Sequence, residues 1–383
     1  MKKKVLLVVP LTTLDWGKLN GGGVDSVCQS LVQELQCSTS SEFHYRVLAF
    51  DPNNTINNNG ELVWSNADID IVRYNVVKNN RKKLPNIIWQ TSVIRREAKI
   101  YEPDLIHAHV SSWALLRKKN TPIILTLHSF KKIGRRSRSF MNNILHEYIV
   151  PYLLKFTVDK YTCVSQMFAN NISQYIPSDI NTIYNPIDKR YFIEPRYREK
   201  SIIRLVTCGL IIEKKGIHDA IFSVKKLLKS GNLANLTIIG PQVDSQYLLK
   251  LKKLIRNLEI EDNIYFAGNK STEEIISIYK NSNVGLFLSS EETFGLVPIE
   301  MSASGLPVVT TNVGVISEMN QSDKLDSMFY VCDGKDQNNI SEKIIDAFNS
   351  TRLPDNANIK AKFSSESIVR NYENCYKKLL NVN

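Results

Sequence analysis

Two glutamates, Glu292 and Glu300, flank a glycine-containing turn in the segment SSEETFGLVPIEMSASGLP (289–307). The apolar run NVGLFLSS before the turn is typical of a buried parallel strand, and VPIEMSASG after it predicts a short helix closed by a glycine and a proline. Amides at the start of a helix have no intrahelical partner and carry the positive end of the helix dipole, so they can bind an anion. Here those amides belong to Phe294, Gly295, Leu296 and Val297.

The two carboxylates predict which anion binds. Carboxylates accept hydrogen bonds from hydroxyl groups, and Glu292 and Glu300 lie on opposite sides of the predicted anion site. A nucleotide sugar has the matching layout of ribose, diphosphate and sugar. The alternative is a capped surface helix that carries two solvated glutamates.

The same segment resembles a known family. EETFGLVPIEMSASGLPVV is similar to the E-x7-E signature of the retaining glycosyltransferases of family 4, the group 1 transferases with the two-domain GT-B fold. The resemblance implies that Glu300 holds the ribose hydroxyls and Glu292 the donor sugar ring. It also implies that the amides from Gly295 to Val297 hold the diphosphate.

A second glycine turn, LNGGGVDSVCQSLVQEL, precedes an apolar-periodic helix in the first half of the chain. Amides around Gly22 and Gly23 would face a second anion across an interdomain cleft, and the family has a glycine pair here that touches the donor diphosphate or the acceptor. A dinucleotide fingerprint fits less well, because Ser26 occupies its third glycine position. A purely structural turn is the other alternative.

The segment VTCGLIIEKKGIHDAI resembles the family's G-R-L-x-x-x-K-G pattern, in which an arginine and a lysine neutralise the leaving diphosphate. Lys215 matches the lysine, but Leu210 stands at the arginine's position. We therefore expect Lys214 or an arginine of the first domain to supply the second charge. The departing diphosphate develops negative charge in the transition state, so at least one positioned cation is needed. Without this context, EKK predicts only a solvated turn.

Three histidines, His107, His109 and His128, lie at or near the ends of predicted strands, where open α/β sheets bind ligands. We interpret His107 as a packed strand residue. His128 matches the family's cleft histidine, which contacts the donor sugar and the reaction centre. Gly268 and Asn269 follow another predicted strand, at the place where backbone groups of the family read the nucleobase.

These residues must be positioned by a larger framework. Short apolar runs alternate with helical patterns along the whole chain, which predicts a doubly wound α/β fold. The charged segment DKRYFIEPRYREK (188–200) interrupts this rhythm. We expect two Rossmann-like domains, residues 1–188 for the acceptor and 189–365 for the nucleotide-sugar donor, which face each other across a cleft as in GT-B. By analogy with the family, a terminal helix over about 366–383 packs back onto the first domain.

Charge is distributed unevenly. Of the net +11, most resides in residues 1–193, which carry 25 Lys and Arg against 15 Asp and Glu. This asymmetry predicts an anionic partner, either a membrane or a nucleic acid. The basic cluster KKIGRRSR precedes the apolar, helix-like FMNNILHEYIVPYLLKF, and Arg81, Lys82 and Lys83 precede Trp89 in the same way. A basic cluster followed by an apolar segment favours binding to a membrane surface or to a lipid-diphosphate acceptor. The alternative is a solvated loop beside a core helix. The cluster comprises Lys131, Lys132, Arg135, Arg136 and Arg138.

The cysteines and the hydropathy of the sequence indicate the cellular compartment. The six cysteines form no C-x-x-C pair, which indicates neither a zinc site nor a disulfide framework and favours a reducing cytoplasm. No apolar run is long enough to span a bilayer. The apolar run near the start predicts a strand rather than a signal peptide, because it meets Pro10 and Asp15 and no cleavage site follows.

We therefore predict a cytoplasmic glycosyltransferase of the hexosyltransferase type, peripheral at the inner face of the cytoplasmic membrane. It would move a sugar, with retention, from a nucleoside-diphosphate sugar to an acceptor hydroxyl on a lipid-linked precursor of a bacterial surface polysaccharide (O-antigen, capsule or lipopolysaccharide). His128, Glu292 and Lys215 would lie at the reacting centre. No metal or other cofactor is expected, because Lys215 and two helix N-termini take the phosphate charge.

Two other classes of protein compete with this prediction. A basic nucleic-acid-binding protein would explain the charge, but the chain has no recognised nucleic-acid module and aromatic residues do not interleave the basic clusters. A nicotinamide-dependent oxidoreductase or epimerase would need the glycine fingerprint that is broken at Ser26.

Overall fold

A computed structural model of the chain describes residues 2–19, 21–38, 42–77, 86–116, 121–129, 148–176, 179–194, 198–321, 328–351 and 356–382. The chain forms two compact units. Unit 1 comprises Met1–Pro186 together with Ser365–Asn383, and unit 2 comprises Ile187–Ser364.

Unit 1 contains eight strands: β1 Lys3–Pro10, β2 Phe43–Asp51, β3 Glu61–Ser65, β4 Ile69–Asn75, β5 Leu105–Ala108, β6 Ile123–Leu127, β7 Lys160–Cys163 and β8 Ile180–Thr182. They form one sheet in the order β3-β4-β2-β1-β5-β6-β7-β8. Its described α-helices are Gly23–Cys37, Asn86–Tyr101, Val150–Thr157, Gln166–Ile172 and Ser365–Leu380.

The centre of this sheet is β1, which pairs in parallel with β2 and β5. Its residues Val5 to Val9 are all buried, as expected for a parallel strand covered on both faces. No local pattern predicts β3, an antiparallel edge strand on β4. All five of its residues are exposed, so it lacks the alternation of buried and exposed residues by which a half-buried strand is predicted.

Unit 2 contains six strands: β9 Ile203–Cys208, β10 Ala234–Ile239, β11 Ile264–Gly268, β12 Val284–Phe287, β13 Val308–Thr311 and β14 Phe329–Cys332. They form a parallel sheet in the order β11-β10-β9-β12-β13-β14. Its described α-helices are Ile217–Lys229, Ser245–Asn257, Thr272–Asn281, Leu296–Ala303, Val315–Gln321, Gln337–Asn349 and Asn356–Phe363.

Helical periodicity explains how unit 2 covers its sheet. The helix Ile217–Lys229 buries Ile217, Ile221 and Val224 on one stripe, against apolar strand residues such as Leu236 and Leu286. Local caps fix where helices begin: Ser271 and Glu274 form a capping box at the start of Thr272–Asn281.

Strand order determines where each unit can bind a ligand. In unit 1 the chain moves outward from β1 first through β2 and later through β5, and in unit 2 it moves outward from β9 first through β10 and later through β12. At such a switch point the loops after the two central strands diverge and leave a crevice at the carboxyl edge of the sheet. The loops after β1, β5, β9 and β12 are therefore the places where a ligand is expected to bind.

Candidate functional site

The switch point of unit 2 holds a buried ion pair between the loops that follow β9 and β12. The Lys215 ammonium donates a hydrogen bond to Oε1 of Glu292, and both side chains are largely buried. The Ser289 hydroxyl donates to the same oxygen over 2.8 Å, and the ammonium lies 5.5 Å from the centre of the Phe287 ring. The structure thus brings together two of the predicted residues and holds the lysine between a carboxylate and an aromatic ring.

A close backbone approach holds this lysine in place. Lys215 ends the 3-10 turn Glu213–Lys215, and Gly216 follows with φ +64°. A Cβ atom on Gly216 would lie 2.1 Å from the carbonyl oxygen of Leu288. Only glycine therefore lets the turn that carries Lys215 pack against the end of β12.

We expect Gly216→Ala to lower the free energy of unfolding by about 3 kcal/mol, because left-handed strain adds to a backbone clash. Gly231→Ala is the matched control: Gly231 also has positive φ, at +80°, but no described atom lies within 4 Å of the place that its Cβ would take. That control should lose only about 1 kcal/mol. Urea unfolding of the full chain measures both variants, and equal losses would contradict the close packing.

The predicted anion site lies at the start of the helix Leu296–Ala303. Its N-cap is Gly295, with φ +88°, and no side chain caps it. The turn before this helix is tied to the start of the helix Val315–Gln321, because the amide of Val315 donates to the carbonyl of Phe294 over 2.8 Å. Phe294 is buried, and Leu296 and Val297 are half-buried. The first amides of this helix therefore keep their capacity to bind an anion.

Glu300 lies one turn further along this helix and is only 8% exposed. Among the residues that the structure describes, its carboxylate has no hydrogen-bond or ion-pair partner. Burial, with the charge of Asp188 adding to it, raises the pKa of Glu300 to about 8. A buried carboxylate is costly unless polar groups satisfy it, so Glu300 is suited to accept hydrogen bonds from the hydroxyls of a ligand.

Glu300 is surrounded by weakly acidic groups that cannot neutralise it. Burial and the charge of Glu300 both raise the pKa values of Cys208, Tyr191 and Tyr279. None of these three was predicted from the sequence as a site residue. Cys208 ends β9, and its position at a strand end is the one signal that pointed to it.

The other residues predicted to bind the donor, and Leu210, are exposed or only half-buried. Lys214 is exposed, and its backbone carbonyl accepts a hydrogen bond from the amide of Ser290 in the loop after β12. Leu210 is half-buried directly after β9 and supplies no charge. Gly268 ends β11, two strands away from β9, with φ +73° and no described atom close to it, and Asn269 beside it is exposed.

In unit 1 the glycine turn before the helix Gly23–Cys37 is organised by a buried acid that the sequence had not singled out. Asp25 accepts hydrogen bonds from the amide and hydroxyl of Thr12, and from the amide of Gly21 over 2.8 Å. Gly22 has φ +123° with open space beside it in the described part of the chain, and Gly23 begins the helix. The turn is therefore pinned to the end of β1, and its Gly21 amide is already used by the chain itself.

The histidines of unit 1 form one buried cluster. His107 is hydrogen-bonded at both nitrogens, to the hydroxyls of Tyr376 and Thr126, each over 2.7 Å. Burial lowers its pKa to about 3. His109 and His128 follow the neighbouring strands β5 and β6, and their rings are joined by a hydrogen bond of 2.9 Å. Burial lowers the pKa of His128 to about 4, against an opposing interaction with Asn185.

The basic cluster Lys131, Lys132, Arg135, Arg136 and Arg138 lies outside the described residues, as do Arg81, Lys82 and Lys83. Part of the apolar segment that follows is described as the helix Val150–Thr157. Within the described ranges, no helix is long and apolar enough to cross a membrane.

Two family models match the chain in succession. That of Glycosyltransferase Family 4 matches residues 21–191, and that of Glycosyl transferases group 1 matches residues 193–363. N-acetyl-alpha-D-glucosaminyl L-malate synthase of Bacillus anthracis is 27% identical over 303 residues, which cover 71% of this chain and 74% of that protein. O-antigen chain mannosyltransferase RfbU of Salmonella typhimurium is 26% identical over 255 residues, which cover 62% of this chain and 69% of that protein.

A solved structure is also similar. The crystal structure of Anabaena Alr3699/HepE in complex with UDP and glucose matches with a TM-score of 0.70 at 14% identity, over 98% of this chain and 100% of that one. At this identity the likeness concerns the fold.

Proposed function

Since the chain belongs to the group 1 and family 4 glycosyltransferases and has their GT-B fold, we propose that it transfers a sugar from a nucleoside-diphosphate sugar to a hydroxyl of a lipid-linked saccharide. The transfer retains the anomeric configuration and contributes to a bacterial surface polysaccharide. Relatives with related roles, such as the O-antigen mannosyltransferase, support this proposal. Family membership also displaces the nucleic-acid-binding and nicotinamide-dependent alternatives.

One observation carries the proposal for the donor. Glu300 is a buried carboxylate without a partner among the described residues, one turn inside a helix whose uncapped N-terminus can bind phosphate. Two adjacent hydroxyls of a ribose would satisfy both carboxylate oxygens while the diphosphate lies at the amides of Gly295 to Val297. This arrangement suits a ligand in which a diol is linked to a diphosphate, and a nucleoside diphosphate is such a ligand.

Lys215 and Glu292 supply the chemistry next to this site. In the proposed reaction the bond between the sugar and the diphosphate breaks, and Lys215 neutralises the charge that develops on the departing phosphate. Glu292 orients the sugar by accepting hydrogen bonds from its hydroxyls, and His128 acts at the reacting face of the sugar. The acceptor hydroxyl attacks the anomeric carbon from the face that the diphosphate leaves and gives its proton to the departing phosphate oxygen. The new bond therefore forms on the face of the old one, which accounts for retention.

The direct test is to incubate the protein with UDP-glucose, UDP-N-acetylglucosamine and GDP-mannose, and to measure nucleoside-diphosphate release and calorimetric binding. The HepE complex with UDP and glucose makes uridine donors the first choice. Glu300→Ala should weaken binding about 100-fold, whereas Glu291→Gln, at the exposed position beside Glu292, should leave it unchanged. Undiminished binding by Glu300→Ala would overturn the site assignment.

The proposed reaction needs no metal ion, because Lys215 and the helix amides cover the phosphate charge. We expect transfer activity to persist, at more than about half of its initial rate, after extensive treatment with EDTA. A control enzyme whose activity requires Mg²⁺, treated in parallel, shows that chelation was complete. Loss of activity with EDTA, restored by Mg²⁺ or Mn²⁺, would contradict this part of the proposal.

The membrane part of the proposal is supported by the surface of the helix Val150–Thr157 and the two residues before it. Tyr148, Tyr152 and Phe156 are 61%, 60% and 57% exposed, and Ile149 and Leu153 are also exposed. Aromatic and aliphatic side chains exposed on one short helix are typical of an element that inserts into the boundary of a bilayer.

We expect the double substitution Tyr152→Ser with Phe156→Ser to weaken binding to anionic vesicles about tenfold or more, because two aromatic side chains no longer insert. Sedimentation with phosphatidylglycerol vesicles measures this. Tyr265→Ser is the control, since Tyr265 is 65% exposed in unit 2. Absence of wild-type binding would remove the membrane surface as a partner, and binding that is insensitive to salt would show that anionic lipid charge does not contribute to it.

A further inference from the structure

The contact between His109 and His128 has a consequence for the reaction. Nδ1 of His109 lies 2.9 Å from Nε2 of His128, and the two rings meet edge to edge, with centres 5.2 Å apart and planes inclined by 27°. His109 is 3% exposed and His128 9% exposed. The backbone also fixes His109, because its amide donates to the carbonyl of Val8 over 3.1 Å.

A hydrogen bond between two neutral imidazoles requires that one nitrogen carry the proton and the other accept it. If Nε2 of His128 donated, His109 would carry its own proton on Nε2. That nitrogen of His109 is buried and has no hydrogen-bond partner among the described residues. A buried N–H group without an acceptor is rare and costly, so this arrangement is disfavoured.

In the opposite arrangement Nδ1–H of His109 donates to Nε2 of His128. His109 then leaves only a lone pair at its unpartnered nitrogen, which costs less than an unpaired donor. His128, with its Nε2 occupied as an acceptor, must carry its proton on Nδ1. Burial lowers the pKa values of both rings, so both remain neutral at physiological pH.

We propose that His109 is a positioning residue that fixes the tautomer of His128, so that His128 presents an Nδ1–H donor to the reacting sugar. This inference rests on the proposed function for its meaning in the reaction, but the tautomer itself belongs to the unliganded protein. His128 then acts as a neutral hydrogen-bond donor, and a sugar or phosphate oxygen competes for its Nδ1–H with the side chain of Asn185, which also interacts with this ring. It does not act as a general base at Nδ1, because that nitrogen already holds a proton.

The tautomer is measured without any substrate. In the full chain labelled with 15N-histidine, the 15N shifts of each ring distinguish a protonated from a bare nitrogen, and the spectrum of a His128→Asn variant identifies the His128 signals. We expect Nδ1–H with a bare Nε2 for His128 in the wild type at pH 7. The Nε2–H tautomer of His128, or a protonated ring at pH 7, would overturn the proposal.

Two variants separate positioning from packing. His109→Phe keeps a ring of similar size but removes the donor, and His109→Asn places an amide N–H near the position of Nδ1. In His109→Phe we expect the His128 signals to shift toward the Nε2–H tautomer, and in His109→Asn to stay with the wild type. An unchanged His128 spectrum in His109→Phe would overturn the proposal, and thermal unfolding shows whether each variant is folded.

Kinetics then connect the tautomer with transfer. With whichever of the three candidate donors is turned over, we expect kcat to fall about 10- to 100-fold in His109→Phe with little change in donor KM, and to recover at least tenfold in His109→Asn. If no donor is turned over, the proposed function fails while the tautomer result stands. If transfer proceeds in His109→Phe at the wild-type rate despite a changed tautomer, the positioning role is refuted.

Discussion

Replacing Glu300 with glutamine is expected to raise the Kd for a nucleoside diphosphate about 100-fold, the largest effect on binding that we predict. A hydrogen bond to a charged group contributes about 1.5–3 kcal/mol, and a carboxylate accepts two where an amide accepts one and opposes the second with its N–H₂ group. Isothermal titration calorimetry with UDP and GDP above pH 8, where Glu300 is mostly ionised before the ligand binds, measures the change. Glu291→Gln, at the exposed position beside Glu292, should bind as the wild type does.

The same substitution should stabilise the unliganded protein at alkaline pH. The pKa of Glu300 is raised in the folded chain from the ordinary 4.5 to about 8, so the folded state holds its proton more tightly than the unfolded state. Stability therefore falls as the pH rises from about 4.5 to 8, and it changes little above that range. Glutamine cannot ionise, so Glu300→Gln should be more stable than the wild type by about 4 kcal/mol at pH 8.

Urea unfolding at pH 5.5 and at pH 8 tests this sign. We expect the two proteins to differ less at the lower pH, because there Glu300 is mostly protonated in the folded state. If Glu300→Gln bound nucleotide poorly and were also less stable than the wild type at pH 8, Glu300 would have a structural partner in the unliganded protein. Loss of binding with gain of stability is the pattern expected for a residue held in a costly state for function.

Replacing Lys215 with alanine is expected to lower kcat about 1000-fold, the largest effect on the reaction that we predict. Lys215 is the one cation that the described residues hold by an ion pair at the switch point of unit 2, between the loops after β9 and β12. Removing a positioned group that stabilises transition-state charge typically costs about 100- to 1000-fold in rate. Here Leu210 stands where the family places an arginine, so the Lys215 ammonium supplies a larger share of the positive charge at the phosphate.

Two controls interpret this result. Lys229→Ala removes an exposed lysine from the following helix and should leave kcat unchanged. Lys214→Ala should lower kcat less than about tenfold, because its ammonium is exposed and weakly positioned. Nucleoside-diphosphate release under saturating donor measures all three variants. If Lys214→Ala lowered kcat as much as Lys215→Ala, both lysines would stabilise the departing phosphate equally. The ion pair with Glu292 would then not distinguish the lysine that acts in the reaction.

Some of this protein could be predicted from local pattern alone. Apolar runs such as Val5 to Val9 are buried on both faces of a parallel sheet, and their alternation with helical periodicity predicts a doubly wound α/β fold. The family was predicted from the segment around Glu292 and Glu300 and is confirmed by the two family models. The exposed strand β3 was missed, since its pairing with β4 holds it rather than any pattern of its own.

The partnerships of the site residues depended on the tertiary structure. Lys215 and Glu292 are 77 residues apart, and they meet because β9 and β12 are neighbours in a sheet whose intervening strands lie to one side. His109 and His128 meet for the same reason at the ends of β5 and β6. That Glu300 is buried without a partner among the described residues likewise becomes apparent only in the folded structure. Local sequence determines the type of most elements and which of their faces is buried, because burial follows the periodicity of apolar residues. Strand order determines which side chains face each other, because it joins segments that are distant along the chain.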